Sequence, residues 1–320
     1  MDDRTMKAVL FDRYGGPEVL YAGRVARPEP KRGEVLVRVR AFSVNGGELA
    51  ARTGRVRLLT GRRFPQRIGL DFTGEVAALG AGATGVAVGD RVWGVLARTG
   101  FGSAAEYVAV RADRLGRVPE GVDLVEAAAL PVATTAITAL RDKAGLRPGE
   151  RLLVRGAAGG VGNAAVQLGR ARGAEVTGLA RAANLDFVRE LGAQHAIDHR
   201  SVPPQDLGLF DVVLDTAGTD LRAFRRLLKP GGRMVTIAFD LARPAASLGY
   251  VAASAVHGRG RVRFFSGNPA RALFDDLARE VVEGNLRPAV DARFPLEETA
   301  AAHRALEAGG VRGKYVVSVD

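Results

Sequence analysis

The sequence predicts an α/β protein of two units, a β-rich barrel followed by a doubly wound unit with a parallel sheet. Three observations carry this. At 320 residues the chain is longer than one hydrophobic core usually grows. Residues 6–119 alternate short apolar runs with glycine turns, the pattern of barrel strands. From "DLVEAAALPVATTAITALRDKAG" onward, strand-like runs alternate with helix-like ones, which implies right-handed crossovers.

Taken in order, "KAVLF", "EVLVRVRAFSV", "DFTGEVAALG", "DRVWGVL" and "AAEYVAV" read as strands of a first unit, residues 1–124. The second unit, 125–266, places strands at "RLLVRG", "EVTGLA", "HAIDH", "FDVVLD", "GRMVTIA" and "RVRFF", with helices between them. Asn184 is positioned to cap "LDFVREL", Gly192 to close it, and "KPGG" to end the helix "LRAFRRLL". After Ser266, two amphipathic stretches, "PARALFDDLAREVVEG" and "PLEETAAAHRALEAG", lead into "GKYVVSV". This closing segment, 267–320, is expected to return to the first unit.

Composition narrows the chemistry. The chain has no cysteine, which excludes disulfides, thiol nucleophiles and thiolate metal sites. His195, His199, His257 and His303 lack ligand spacing, so no metal site is expected. No apolar run approaches the roughly 20 residues that span a bilayer, and "MDDRTMKAVLF" opens on charge, so the expected location is the cytoplasm, without membrane association. The net charge of +11 raises the question of a nucleic-acid partner. The arginines are spread along the chain, with only short knots such as "GRVRLLTGRRF" and "HGRGRVRF", so a solvated surface is the expected reading.

The stretch "VRGAAGGVGNAAVQLGRARGAEVTGLARAANLD" carries the sharpest signal. It runs from a strand through glycines into a helix, within a unit of about 30 residues. A pyrophosphate is held best by unpaired N–H groups at a helix N-terminus, and close approach requires missing side chains. The backbone of Ala158, Gly159, Gly160, Val161 and Gly162 is therefore assigned to a dinucleotide, Gly162 also letting the helix pack on the sheet. Ala157 stands where the usual pattern has its first glycine. An NAD site carries Asp or Glu about 20 residues further on, whereas this chain has "GLARAAN". With no carboxylate to repel a 2′-phosphate and Arg181 able to pair with one, NADPH is the expected cofactor. The alternative makes Arg181 one more surface arginine.

These residues resemble the zinc-independent quinone oxidoreductases (zeta-crystallin-like) of the medium-chain dehydrogenase/reductase superfamily. The resemblance covers nearly the whole chain: "MKAVLFDRYGGPEVL", "SVNGGELAARTG", "AAGGVG" and "PLEETAAAHRALEAGGVRGKYVV" are similar to the family's opening strand, active-site segment, phosphate loop and closing helix. It implies a GroES-like barrel and a Rossmann domain. It also implies that Asn45 and Leu70 stand where zinc alcohol dehydrogenases of the superfamily carry a Cys and a His ligand. Without a Lewis acid, the implied chemistry is hydride delivery to an already electrophilic conjugated system.

Adding hydride to a quinone or enone places negative charge on its oxygen, and donors aimed there lower the barrier. The resemblance makes Asn45 the first candidate, with Arg52 and Glu48 beside it. A turn role for Asn45, and surface display for Arg52 and Glu48, are the competing readings. Ala50 replaces a family aromatic, so no proton donor is assigned. Around the nicotinamide the resemblance points to Thr134 or Thr135, to Ile237, Ala238 and Phe239, and to Phe264, Phe265 and Ser266, with His199 near the adenosine. Helix capping by the threonines and core packing by the phenylalanines compete with these. The expected activity is NADPH-dependent reduction of a quinone or related enone, by a homodimer joined through "RVRFF". Its rivals are a 2-enoyl reductase acting on a thioester or biosynthetic enone, and an NADPH-bound nucleic-acid-binding or regulatory protein. Substrate choice is expected in loops 54–67 and 240–262.

Overall fold

The computed structural model describes residues 4–57, 61, 63–97, 100–240, 243–256 and 260–319. His257 lies outside them, as do parts of both expected substrate loops. The chain forms two compact units, Met1–Pro131 with Asn268–Asp320, and Val132–Gly267.

The first unit contains β1 (Thr5–Phe11), β2 (Tyr21–Ala26), β3 (Glu34–Ser43), β4 (Gln66–Arg67), β5 (Asp71–Leu79), β6 (Arg91–Val95), β7 (Tyr107–Arg111) and β8 (Leu115–Arg117). The second contains β9 (Arg151–Arg155), β10 (Glu175–Ala180), β11 (His195–Asp198), β12 (Phe210–Asp215), β13 (Leu228–Thr236) and β14 (Val262–Phe264). The chain then returns to the first unit with β15 (Val290–Pro295) and β16 (Lys314–Ser318).

In the barrel unit, β2, β1 and β4 form a small sheet, and a seven-stranded sheet runs β15-β16-β3-β5-β6-β8 with β7 also on β3. Alternating side chains of these strands close a core that includes Val37, Phe42, Phe72, Leu115 and Val317. β16 seals it by pairing antiparallel with β3, Val316 opposite Ser43. The unit extends to Pro131, seven residues beyond the expected 124, because Val125, Ala128 and Ala129 pack on Ala41 and Val316 of the barrel.

The second unit is a parallel sheet in the order β11-β10-β9-β12-β13-β14. Its central strands are apolar on both faces, as a sheet covered by helices requires; β12, "FDVVLD", buries five of its six residues. Two local expectations are corrected. "KPGG" does not separate a helix from a strand: the helix stops at Arg225, and Lys229–Gly232 form an irregularity inside β13, where pairing shifts from Phe210–Leu228 to Val212–Arg233. Asn184 stands at the start of helix Leu185–Glu190, but its side chain caps nothing there. Gly192 does close that helix, at φ +109°.

Among the described residues no helix is long and apolar enough to cross a membrane.

Candidate active site

In the second unit, a parallel sheet brings every strand end to one edge, and the expected cofactor residues follow that edge in strand order. His199 follows β11 and Arg181 follows β10. The glycine loop follows β9, Ile237–Phe239 follow β13, and Phe265–Ser266 follow β14. His199 braces the row: its backbone N–H and its ring Nδ1 both reach the Ala180 carbonyl, at 3.1 and 2.8 Å. The phenylalanines are half-buried at this edge and not core residues; Phe239 and Phe264 meet edge-to-face with ring centroids 5.6 Å apart.

The phosphate loop is shaped by a glycine that the motif reading passed over. Gly156, just after β9, has φ +71°, and a Cβ there would stand 2.3 Å from Thr216 Oγ1. A Cβ on Gly162 would stand 2.0 Å from the Gly156 carbonyl oxygen, so loop and helix start close directly on each other. Helix Gly160–Ala171 begins with Asn163 N–H bonded to Gly159 O at 2.8 Å, and no side chain caps it. The first-turn N–H groups of Gly160, Val161 and Gly162 thus have no partner within the helix, the arrangement that suits an anion. These features fit a dinucleotide pyrophosphate.

Behind the loop lies a buried ion pair that the sequence reading missed. Arg155, the last residue of β9, donates to Asp215 Oδ1 at 2.6 Å and stacks its guanidinium 3.7 Å from the Phe224 ring centroid. Asp215, the fully buried last residue of β12, also accepts from the backbone of Ala217 and Gly218 and from Thr236 Oγ1. One carboxylate therefore ties together the ends of β9, β12 and β13. The signal was present in the sequence: "RLLVR" and "FDVVLD" end apolar strands on opposite charges.

Thr134 and Thr135 lie inside a helix, Ala133–Ile137, whose N-cap is Val132, so neither caps it. Thr134 is buried; Thr135 is half-exposed, and a Cβ on Gly267 would stand 3.1 Å from its hydroxyl.

In the barrel unit, Asn45 precedes helix Gly46–Arg52 and occupies the half-exposed end of a buried polar network. Its amide nitrogen donates to Ser43 O at 3.0 Å, Glu48 Oε1 at 2.9 Å and Asp71 Oδ2 at 3.0 Å; its Oδ1 accepts from Lys314 Nζ at 2.6 Å. It does not cap the helix. Ser43 supplies Asp71 with two further bonds, from its N–H at 2.8 Å and its hydroxyl at 2.6 Å.

Surface display is corrected for both neighbours, since Glu48 and Arg52 are completely buried. Arg52 donates to Gly15 O at 2.7 Å and pairs with Glu307. Burial, with Asp71 nearby, pushes the Glu48 carboxyl up to about 8. Burial also holds the Lys314 ammonium below its ordinary value, against the pull of Asp71 and Glu48. Asp71 and Lys314 escaped the sequence reading, where charges inside the strands "LDFTG" and "GKYVV" were the available sign, and His303 was read there only as lacking ligand spacing. Leu70 offers no ligand atom in its side chain, and among the described residues no group of three or more His, Asp or Glu side chains is arranged to hold a metal ion.

Residues 31–120 match the alcohol dehydrogenase GroES-like domain, and residues 191–317 match a zinc-binding dehydrogenase domain. A quinone oxidoreductase structure from Coxiella burnetii superposes with a TM-score of 0.90 at 30% identity, covering 99% of this chain and all of that one. The chain belongs to the medium-chain dehydrogenase/reductase superfamily. Within it, the chain is 32% identical to the mouse mitochondrial NAD(P)H oxidoreductase RTN4IP1, over 98% of its own length and 89% of the relative's. It is 30% identical to 2-methylene-furan-3-one reductase of Solanum lycopersicum, over 98% and 79%. A GroES-like barrel and a Rossmann-like parallel sheet are the superfamily's two parts, and both are present here.

Proposed function

We propose that the chain is an NADPH-dependent, metal-independent reductase of quinones or related conjugated enones. What supports this is the combination, in one superfamily member, of a strand–glycine loop–helix turn with a barrel in which Asn45 and Leu70 stand where the resemblance puts the zinc ligands of alcohol dehydrogenases. The reduced nicotinamide, when bound, supplies the hydride. The chain's own part begins with Gly160, Val161 and Gly162, whose N–H groups take the pyrophosphate, and with Arg181, which takes the 2′-phosphate. Ile237–Phe239 and Phe264–Ser266 wall the nicotinamide end. In the barrel, Lys314 polarises the Asn45 amide through Oδ1, which strengthens its N–H groups as donors to the oxygen that gains charge. That oxygen must take one N–H in exchange for a carboxylate partner, because both are engaged inward.

NADPH oxidation measured against a panel of quinones, enones and enoyl thioesters, with and without a strong chelator, tests the reading. Turnover on quinones or enones that survives chelation is expected. Activity lost on chelation and restored by zinc removes metal independence. Turnover confined to enoyl thioesters favours the 2-enoyl reductase reading. Salt-sensitive RNA retention without any turnover favours a nucleic-acid role.

A further inference from the structure

Five buried side-chain polar atoms lack a hydrogen-bond partner among the described residues, and four of them belong to one cluster in the barrel unit: Glu48 Oε2, Arg52 Nε, and both ring nitrogens of His303. Glu48 and Arg52 lie one turn apart on helix Gly46–Arg52, and His303 reaches them from helix Thr299–Ala308. All three are completely buried, where an unmade hydrogen bond is costly because no water replaces the missing partner. Glu48 Oε2 stands 3.8 Å from His303 Nε2, roughly 1 Å beyond hydrogen-bond length.

The charges around Glu48 can be counted element by element. Asp71 on β5 receives three hydrogen bonds, from Ser43 N–H, Ser43 O–H and Asn45. Lys314 on β16 is the ammonium that answers it. Arg52, on Glu48's own helix, is paired with Glu307 of helix Thr299–Ala308. His303 on that helix is held neutral, its imidazole depressed to about 3 by burial and by the Arg52 charge. Lys314, shared with Asp71, and the Gly69 backbone N–H favour the ionised form of Glu48, but burial and the Asp71 charge outweigh them, and among the described residues Oε2 makes no hydrogen bond.

We propose that Glu48 is a positioning residue that works in its neutral form: Oε2 carries a proton offered to His303 Nε2, while Oε1, left as a carbonyl oxygen, holds the Asn45 amide. Neutral Glu48 leaves Lys314 with a single counter-charge, so its Nζ stays on Asn45 Oδ1 and on Val44 O, 2.6 and 2.7 Å away. Ionisation sets a second negative charge beside Asp71. It draws both Asn45 N–H and Lys314 Nζ toward the carboxylates, and it leaves His303 facing an acceptor. Asn45 then offers less to a substrate oxygen. This rests on the proposed enone or quinone reduction only where activity is the readout.

The first experiment needs no substrate. Infrared difference spectra of the full chain between pH 6 and 10 should show a protonated carboxylic-acid carbonyl band that disappears with a midpoint near 8. The band should be missing in Glu48→Gln. A second variant, His303→Leu, removes the acceptor of that proton and should lower the midpoint by about one pH unit. The second experiment is the pH profile of kcat/KM on whichever quinone or enone is turned over. It should fall about tenfold per pH unit above 8 in wild type, and lose that limb in Glu48→Gln whatever its absolute height. No band, a band that persists in Glu48→Gln, or an alkaline limb unchanged in that variant overturns the inference. If no substrate is turned over, the proposed function fails and the infrared titration still decides the state of Glu48. If Glu48→Gln does not fold, the wild-type titration and the His303→Leu shift decide it.

Discussion

At the scale of single residues, the most consequential side chains are charges placed where water is absent. Arg155 and Asp215 are coupled at 2.6 Å, and the carboxylate is fully buried. Removing one member of such a pair strands the other, which typically costs about 3–5 kcal/mol, whereas replacing both with apolar residues of similar size is far milder. Asp215→Asn should therefore lower the urea midpoint sharply, and Arg155→Met with Asp215→Leu should recover much of the loss. A change in Asp215→Asn below about 1 kcal/mol would show that the loops after β9, β12 and β13 are held by something else. Arg181 is proposed to act on the ligand instead. A guanidinium–phosphate contact is worth about 1–3 kcal/mol, so Arg181→Ala should weaken NADPH binding roughly 5- to 150-fold and leave NADH unchanged. Titration of both nucleotides against both proteins measures this, and equal wild-type affinities would refute the assignment.

At the scale of elements, helix Gly160–Ala171 and its loop separate two functions of glycine. Gly162 is a packing residue, since its Cβ would meet the Gly156 carbonyl at 2.0 Å. Gly160, the first residue of the helix, belongs to the uncapped first turn that is proposed to hold the pyrophosphate. Gly160→Val should keep the thermal midpoint of the free protein near wild type and abolish the stabilisation that NADPH gives. A retained shift means the loop does not cradle phosphate, and an unfolded variant means Gly160 is also a packing residue. The elements most legible in the sequence were those with local signals. "EVTGLA" and "FDVVLD" are strands over their full quoted length because an apolar run between turn residues has few alternatives. Less was legible where long-range contacts decide. "KPGG" carries the signature of a helix stop, yet pairing of β13 with β12 carries it into the sheet. Glu48 and Arg52 sit on a seven-residue helix whose sequence looks solvated, and long-range packing, including that of helix Thr299–Ala308 against it, buries both. The network around Asn45 draws on residues 43, 45, 48, 71 and 314, a spacing that no local motif announces.

At the scale of the whole molecule, burying ionisable groups makes stability depend on pH in a way their shifts determine. His303 falls from 6.5 to about 3 on folding, so the folded chain binds fewer protons between those values, and this group makes stability rise with pH from about 3 to 6.5. Glu48 rises from 4.5 to about 8, so the folded chain binds more protons there, and this group makes stability fall with pH across that window. The two oppose each other between about 4.5 and 6.5. Between about 6.5 and 8 only the Glu48 fall remains, so denaturant midpoints should decline there in wild type and not in Glu48→Gln. A wild-type midpoint that is flat over this interval would contradict the buried-acid assignment.

Assembly follows from what the second unit leaves open. β14 ends the parallel sheet and, among the described residues, pairs only with β13; Ser254 Oγ covers its first residue by taking the Val262 N–H at 3.0 Å, and no further strand flanks the rest of the edge. Helix Pro244–Ala253, "PAASLGYVAA", has no fully buried residue although it is largely apolar, and Leu248 and Val256 are exposed, the latter at 78%. An open edge beside exposed apolar side chains is costly for a monomer in water, and a two-fold partner satisfies both by joining edge to edge, since an isologous contact closes on itself. Light scattering at micromolar concentration should give twice the chain mass. Leu248→Asp should shift the population toward monomer, if the helix flanks the joined edges, without changing the far-ultraviolet spectrum of the folded chain. A wild-type protein that stays monomeric at tens of micromolar removes the edge-to-edge pairing, and a dimer indifferent to Leu248→Asp confines the contact to the strand.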